Sequence, residues 1–231
     1  MPEFDKYSQS YTAVNDRDAI AITGFGLNHF NRYKIRDLHY EIQSKKKSPE
    51  KILDFGCGVG NSLPLLAEYF PAAHIIGADI SPASIEIASS QTASKNITVQ
   101  LISDKLAIDQ KSVDTIFSSC VFHHIPLEYQ QHWLGELFRA LKPGGILMIY
   151  EHNPFNPVTQ YVFRNAEFDK DATMIKSSTL QLFLKQAGFD KVEIKYRVFF
   201  PKIFEKLIKY EPYLSRIPFG AQYYVLATKA A

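Results

Sequence analysis

Three acidic side chains and a histidine pair stand in this chain where a fold would expose them to a ligand. The densest stretch is Ile52-Leu53-Asp54-Phe55-Gly56-Cys57-Gly58-Val59-Gly60-Asn61-Ser62. Glycines that follow a strand and open a helix let the backbone approach a ligand closely and present the helix's free amides to it. The spacing is G-x-G-x-G, and Asn61 stands where a dinucleotide fingerprint wants its last glycine. A carboxylate at Asp54 repels a pyrophosphate and attracts an ammonium, directly or through water. The ligand suited to this loop carries a cationic amine and no phosphate.

Asp79 ends the next apolar run, where an acid accepts the two hydroxyls of a ribose. Asp104, within Ser103-Asp104-Lys105, stands where it accepts from an adenine amino group or, equally, sits in a surface turn. Ser118-Ser119-Cys120-Val121-Phe122-His123-His124-Ile125-Pro126 follows a fourth run. His123, His124 and His152 are candidate general bases, because their loops follow central strands, where α/β folds place ligands. His124 is the first choice; the competing reading has the pair capping or packing the next helix.

The elements that must position these residues are legible as short runs rich in Ile, Val and Leu. They are Lys51–Phe55, His74–Asp79, Thr98–Ile102, Val113–Ser119 and Ile146–Glu151, each apolar enough for a strand buried on both faces. Between them, Ser81-Pro82 reads as a helix start, and Leu134, Leu137, Phe138 and Leu141 share one helix face. Lys142-Pro143-Gly144-Gly145 ends that helix and turns into the next strand. Alternation of strand and helix predicts right-handed crossovers and a mostly parallel sheet. A helix over about 178–187 and two further strands, Val192–Phe199 and Gln222–Thr228, make a terminal antiparallel pair plausible. The prolines of Asn153-Pro154-Phe155-Asn156-Pro157 predict a shaped loop rather than a helix.

The chain has 231 residues, 46% of them hydrophobic and 22% charged, with a formal net charge of +2. That length supports a large independent core, and the charge balance argues against a dedicated nucleic-acid binder. Lys45-Lys46-Lys47 reads as a solvated linker. Two cysteines without a C-x-x-C pair predict neither a disulfide scaffold nor a cysteine zinc site. The seven histidines lack an H-x-x-x-H arrangement, so no metal site is expected, although ligands gathered across the fold escape such a reading. No apolar stretch reaches membrane-spanning length, and Met1–Lys6 does not read as a secretory signal, so the expected setting is cytoplasmic.

Taken together, Leu53–Gly60 (LDFGCGVG), Gly77–Ser81 (GADIS), Val121–Ile125 (VFHHI) and Leu141–Gly145 (LKPGG) resemble a class I S-adenosylmethionine-dependent methyltransferase. The resemblance covers about Lys51 to Glu151. Phe4-Asp5-Lys6-Tyr7-Ser8-Gln9-Ser10-Tyr11 is also similar to the family's N-terminal segment that folds over the cofactor, with Ser8 replacing a usual alanine. The resemblance implies an α/β fold: a doubly wound, mostly parallel seven-stranded sheet with helices on both faces, the last strand antiparallel, and a helical N-terminal cap. It places that cap at residues 1–48 and the Rossmann-like domain at 49–231, with substrate-side insertions around 153–175 and 200–220.

By the same resemblance, Asp54, Gly56, Gly58 and Gly60 would hold the methionyl end of S-adenosylmethionine, with Cys57 filling a small position in the loop. Asp79, with Ile80 beside it, would hold the ribose, and Asp104 with Lys105 the adenine edge. Cys120 would lie near the thioether, and Tyr11 would close from the N-terminal segment. The implied reaction is in-line transfer of a methyl group to an oxygen, nitrogen or carbon acceptor of a small molecule, leaving S-adenosylhomocysteine. The acceptor pocket is expected from Tyr7, Tyr11, residues 25–33 and residues 153–168, with Arg164 a candidate for an anionic substrate. A macromolecular methyltransferase, a catalytically inactive cofactor-binding subunit and a dinucleotide oxidoreductase are the rival readings. Asp54 and Asn61 disfavour the last of these.

Overall fold

A computed structural model of the protein describes Ser8 and residues 10–92, 94–166 and 169–231. Two helices come first, α1 (Tyr11–Thr23) and α2 (Leu27–Ser44). There follow β1 (Lys51–Phe55), α3 (Leu63–Tyr69), β2 (His74–Asp79), α4 (Pro82–Gln91), β3 (Ile97–Leu101) and β4 (Val113–Ser119). A 3-10 turn, Phe122–His124, leads into α5 (Leu127–Ala140), β5 (Leu141–His152), α6 (Pro157–Asn165), α7 (Ser177–Gln186) and β6 (Lys191–Arg197). A 3-10 segment (Lys202–Tyr210), α8 (Glu211–Leu214) and β7 (Gln222–Thr228) close the chain.

The strands form one seven-stranded sheet in the order β3-β2-β1-β4-β5-β7-β6. β7 runs antiparallel to both its neighbours, and the other described pairings are parallel. Strand side chains alternate between two cores. Leu53, Phe55, Leu147, Ile149, Tyr223 and Val225 pack with Leu134 and Leu137 of α5 and Leu180 and Leu184 of α7. Ile52, Met148, Tyr150, Tyr224 and Leu226 pack on the other face with Ile35, Leu38 and Ile42 of α2 and Leu63 and Leu66 of α3. Burial on both faces is why the central strands β1, β4, β5 and β7 are rich in apolar residues, while the edge strands β3 and β6 are more exposed.

Four local outcomes differ from the sequence expectation. β5 starts at Leu141, and Lys142-Pro143-Gly144-Gly145 is a register break within it: Val113 pairs with Leu141 and Thr115 next pairs with Ile146. β3 is displaced by one residue, to Ile97–Leu101, and β6 stops at Arg197, before the Val198 backbone turns left-handed at φ +63°. Asn153–Asn156 is a loop as expected, but Pro157 opens a helix instead of denying one. The Asn156 side chain accepts the Thr159 amide at 2.9 Å and caps α6, and Pro157 occupies the first turn, where its missing N–H costs nothing. No described helix is long and apolar enough to cross a membrane.

Candidate functional site

The glycine loop bends back over the sheet because three of its residues take left-handed backbone. Gly56, Gly58 and Gly60 have φ of +75°, +53° and +86°. At Gly56 a Cβ would stand 2.4 Å from Val121 Cγ2, a stiff neighbour. At Gly58 a Cβ would meet nothing within 4 Å, so this turn faces open space where a ligand's backbone-bound end fits. Gly56→Ala combines left-handed strain with that clash. It should cost about 2 kcal/mol or more, lowering Tm by roughly 4–8 °C. Thermal unfolding checks this, and an unchanged Tm would mean the loop yields freely.

The Gly58 amide donates to Asp79 Oδ2 at 2.8 Å, and the Ser81 amide to Asp79 Oδ1 at 2.9 Å. Two backbone donors thus fix the Asp79 carboxylate at the end of β2. Ser81 caps α4 through the Ser84 amide, as its place before Pro82 suggested. Asp54 behaves differently. It is buried, and its carboxyl accepts from the Ser62 hydroxyl. Burial lifts its pKa to about 7; the Ser62 bond opposes that lift and the nearby Asp79 charge adds to it.

These elements surround a cavity of about 400 Å³. It brings together Gly56, Gly58, Asp79, Ile80, Cys120 and His124 of the expected site. Asp54, Cys57, Gly60 and His123 stand behind the wall. Asp104 and Lys105 are exposed and lie outside the lining; Ser103 donates to the Asp104 carboxylate at 2.9 Å, and Ser103 and Ile102 line the cavity in their stead. Residues 25–33 and the described residues of 153–168 do not line it, and Arg164 is exposed. Tyr129 and Trp133, which the sequence reading did not single out, form that wall with Ile125 and Pro126. Tyr7 and the Tyr11 side chain lie outside the described residues, but buried Ser8 reaches the cavity. Asn61 Nδ2 donates to Thr12 Oγ1 at 3.0 Å, seating the start of α1 on the glycine loop.

The loop after β4 is held by a residue to which the sequence reading gave no role beyond ending a strand. Glu151 is fully buried, and its Oε1 accepts the Val121 amide at 3.1 Å and the Phe122 amide at 2.8 Å. Its Oε2 lies 2.6 Å from His123 Nδ1. His123 Nε2 in turn lies 3.5 Å from Asp169 Oδ1, and His124 Nε2 lies 3.4 Å from the same oxygen. Burial opposes charge on His123, but Glu151 and Asp169 outweigh it and raise the imidazole to about 10. Burial, then the charge on His123, pushes His124 down to about 4. The first of the pair is therefore an ion-pair partner, and the second a neutral ring on the cavity wall.

Cys120 has left-handed backbone, φ +59°, at the turn off β4, a conformation non-glycine residues keep only when surroundings enforce it. Its amide donates to Tyr150 O at 2.9 Å, and Lys34 Nζ approaches its sulfur at 3.4 Å. Burial raises this thiol, yet Lys34 and His152 outweigh burial and bring it to about 6. Cys57, by contrast, is buried and pushed well above the usual thiol range.

A family model described as a methyltransferase domain matches residues 27–194. The trans-aconitate 2-methyltransferase of Variovorax paradoxus is 33% identical over 111 residues, covering 47% of this chain and 42% of that protein. The chain thus spans less than half the length of that curated relative. Among solved structures, a possible histamine N-methyltransferase from Thermotoga maritima superposes with a TM-score of 0.67 at 16% identity, covering 98% of each chain. Haemonchus contortus phosphoethanolamine N-methyltransferase 2, solved with phosphomonomethylethanolamine and S-adenosylhomocysteine, gives 0.64 at 16% identity, over all of this chain and 61% of that one. The fold is therefore that of the S-adenosylmethionine-dependent methyltransferases. With the match over residues 27–194, the chain belongs to the class I methyltransferase domain family.

Proposed function

We propose that this protein transfers the methyl group of S-adenosylmethionine to an oxygen, nitrogen or carbon atom of a small molecule. The observation that carries this reading is the cavity itself, which joins the open backbone at Gly58 and the fixed carboxylate of Asp79 to His124. A carboxylate and a glycine cradle, with no Lys or Arg among the described residues of that wall, suit an uncharged ribose and an amino acid, and do not suit a pyrophosphate. The bound sulfonium supplies an already activated methyl group, so little covalent chemistry is left for side chains.

What this chain's residues do is hold and align. Asp79, held in place by its two backbone donors, accepts the ribose hydroxyls on its carboxylate oxygens. Asp54, behind the loop, counters the cofactor's ammonium directly or through water. Ile80 flanks the ribose and Ser103, not Asp104, borders the adenine end. Of the expected cap, Ser8 and the start of α1 lie toward the cofactor, a reading supported by Ser8 in the cavity wall and by the Thr12–Asn61 bond, while α2 packs on the sheet through Ile35, Leu38 and Ile42. Tyr129 and Trp133 offer flat apolar surface to an acceptor, and His124 is the side chain placed to take its proton.

The relatives' names favour a small-molecule acceptor, and the near-neutral net charge gives RNA no basic platform. Labelled methyl transfer into a metabolite extract, against RNA and protein fractions, tests the reading. Label in the metabolite fraction is the expected result; label confined to RNA or protein overturns the acceptor class, and label in none favours an inactive cofactor-binding subunit. His124→Asn should lower kcat by roughly 100-fold or more and leave cofactor affinity within about twofold. Equal loss of turnover and calorimetric affinity would discard His124 as the base.

A further inference from the structure

We propose that His123, His152 and Asp169 form a binding site for a divalent first-row transition cation beside the cavity. Each offers one ligand atom, and these atoms all lie within 4.8 Å of one another. The measured edge between His123 Nε2 and Asp169 Oδ1 is 3.5 Å. Ligands about 2.0–2.1 Å from a tetrahedral ion stand about 3.4 Å apart, so this edge already has the length such an ion imposes.

The surroundings are those a metal-bound histidine needs. Glu151 takes His123 Nδ1 at 2.6 Å, which orients the ring and leaves Nε2 toward Asp169. A carboxylate on the far nitrogen of a ligating imidazole fixes its tautomer and raises its basicity. Phe163 packs edge-on against both rings, 5.6 Å from His123 and 5.8 Å from His152, as an apolar shell. Two carboxylates, Glu151 and Asp169, stand among three imidazoles, His123, His152 and His124, and a dication balances the two carboxylates with the rings neutral. Two imidazole nitrogens and one carboxylate oxygen suit zinc, cobalt, manganese or iron, and do not suit magnesium or calcium, which prefer all-oxygen sets.

The cluster borders the cavity through His124, 3.4 Å from Asp169 Oδ1. The binding itself does not depend on the methyl-transfer reading; only its place next to the acceptor end does. Full-length protein is stripped with EDTA, dialysed and titrated with Co²⁺ alone, followed by visible absorption, and with Zn²⁺ alone by calorimetry. Expected is one equivalent of each with a tetrahedral or five-coordinate cobalt spectrum. His152→Ala and Asp169→Asn should each weaken binding by ~10- to 100-fold or more, since even supporting residues are worth that much. S-adenosylmethionine binding by both variants shows that they are folded. No uptake, or uptake untouched by both substitutions, overturns the site and leaves His123 as an ion-pair partner only. A protein that binds S-adenosylmethionine without Co²⁺ refutes the cation site alone; one that binds Co²⁺ without S-adenosylmethionine refutes the cofactor reading alone.

Discussion

Asp54→Asn should weaken S-adenosylmethionine binding by ~10- to 100-fold while making the cofactor-free protein more stable at neutral pH. The first half follows from charge: a hydrogen-bonded ion pair contributes about 1.5–3 kcal/mol, and an amide offers the ammonium no counter-charge. The second half follows from burial. The Asp54 carboxyl, raised to about 7, stays protonated in the folded protein at pH values where the unfolded chain has already released its proton. Stability is therefore lost as pH rises from about 4 to about 7 and is level above that, because the native state binds the extra proton throughout this window. Asparagine removes the titration and so that slope.

The same linkage sets the pH dependence of binding. An ammonium next to Asp54 favours the carboxylate, so cofactor uptake below pH ~7 must release a proton, and affinity should fall toward tenfold per pH unit as the pH drops. Calorimetry at pH 6 in two buffers of different ionisation enthalpy reads that proton directly, and Asp54→Asn should abolish it. A variant that binds as tightly as the parent at every pH would remove Asp54 from the cofactor site. The opposite signs, weaker binding with firmer folding, separate this role from a merely structural one.

The parts of this protein that local pattern determines were legible in the chain. β1, β2, β4 and β7 lie at the bounds their apolar runs predict, because each has a centre of Ile, Leu, Val, Phe or Tyr buried in the sheet. The Ser81 cap and the glycine turn were legible because they act locally, Ser81 on the Ser84 amide and the glycines on their own left-handed backbone, whereas the bond from the Gly58 amide to Asp79 spans 21 positions and needs β1 beside β2. Asp104 shows the limit. A turn acid reads the same whether it faces a ligand or solvent, and here the Ser103 hydroxyl satisfies it outside the cavity. The α5 side of the cavity escaped because Tyr129 and Trp133 sit among residues whose helical period says nothing about which turn meets the cavity. Glu151 escaped as well. Its three bonds reach back to a loop nearly thirty residues earlier, a pairing that only the parallel register of β4 with β5 creates.

Asp37→Ala should be the most destabilising of the substitutions named here, costing about 3–5 kcal/mol and lowering Tm on the order of 10 °C. α2 lays a polar stripe, Lys34, Asp37 and Glu41, across β4, β5, β7 and β6 on one face of the sheet, and all three are buried. Asp37 takes Arg197 Nε and Nη2 at 2.6 Å each and accepts from the Tyr150 hydroxyl. Glu41 accepts from Tyr224 at 2.7 Å and pairs with Lys195, while Lys34 donates to Ser119 at 2.8 Å. Removing Asp37 leaves a guanidinium only 6% exposed without its counter-charge, over the ring of Tyr33 at 5.0 Å. An orphaned buried charge is costlier than the pair is valuable, so the double change Asp37→Leu with Arg197→Met should recover much of the loss. Chemical denaturation of the single and double variants checks this, and equal losses would mean that packing, not charge, holds α2. Because Lys34 sits on the same helix and reaches Cys120 at the cavity, loosening α2 should also raise hydrogen exchange along residues 27–44 and weaken cofactor binding, although Asp37 is not among the residues lining the cavity.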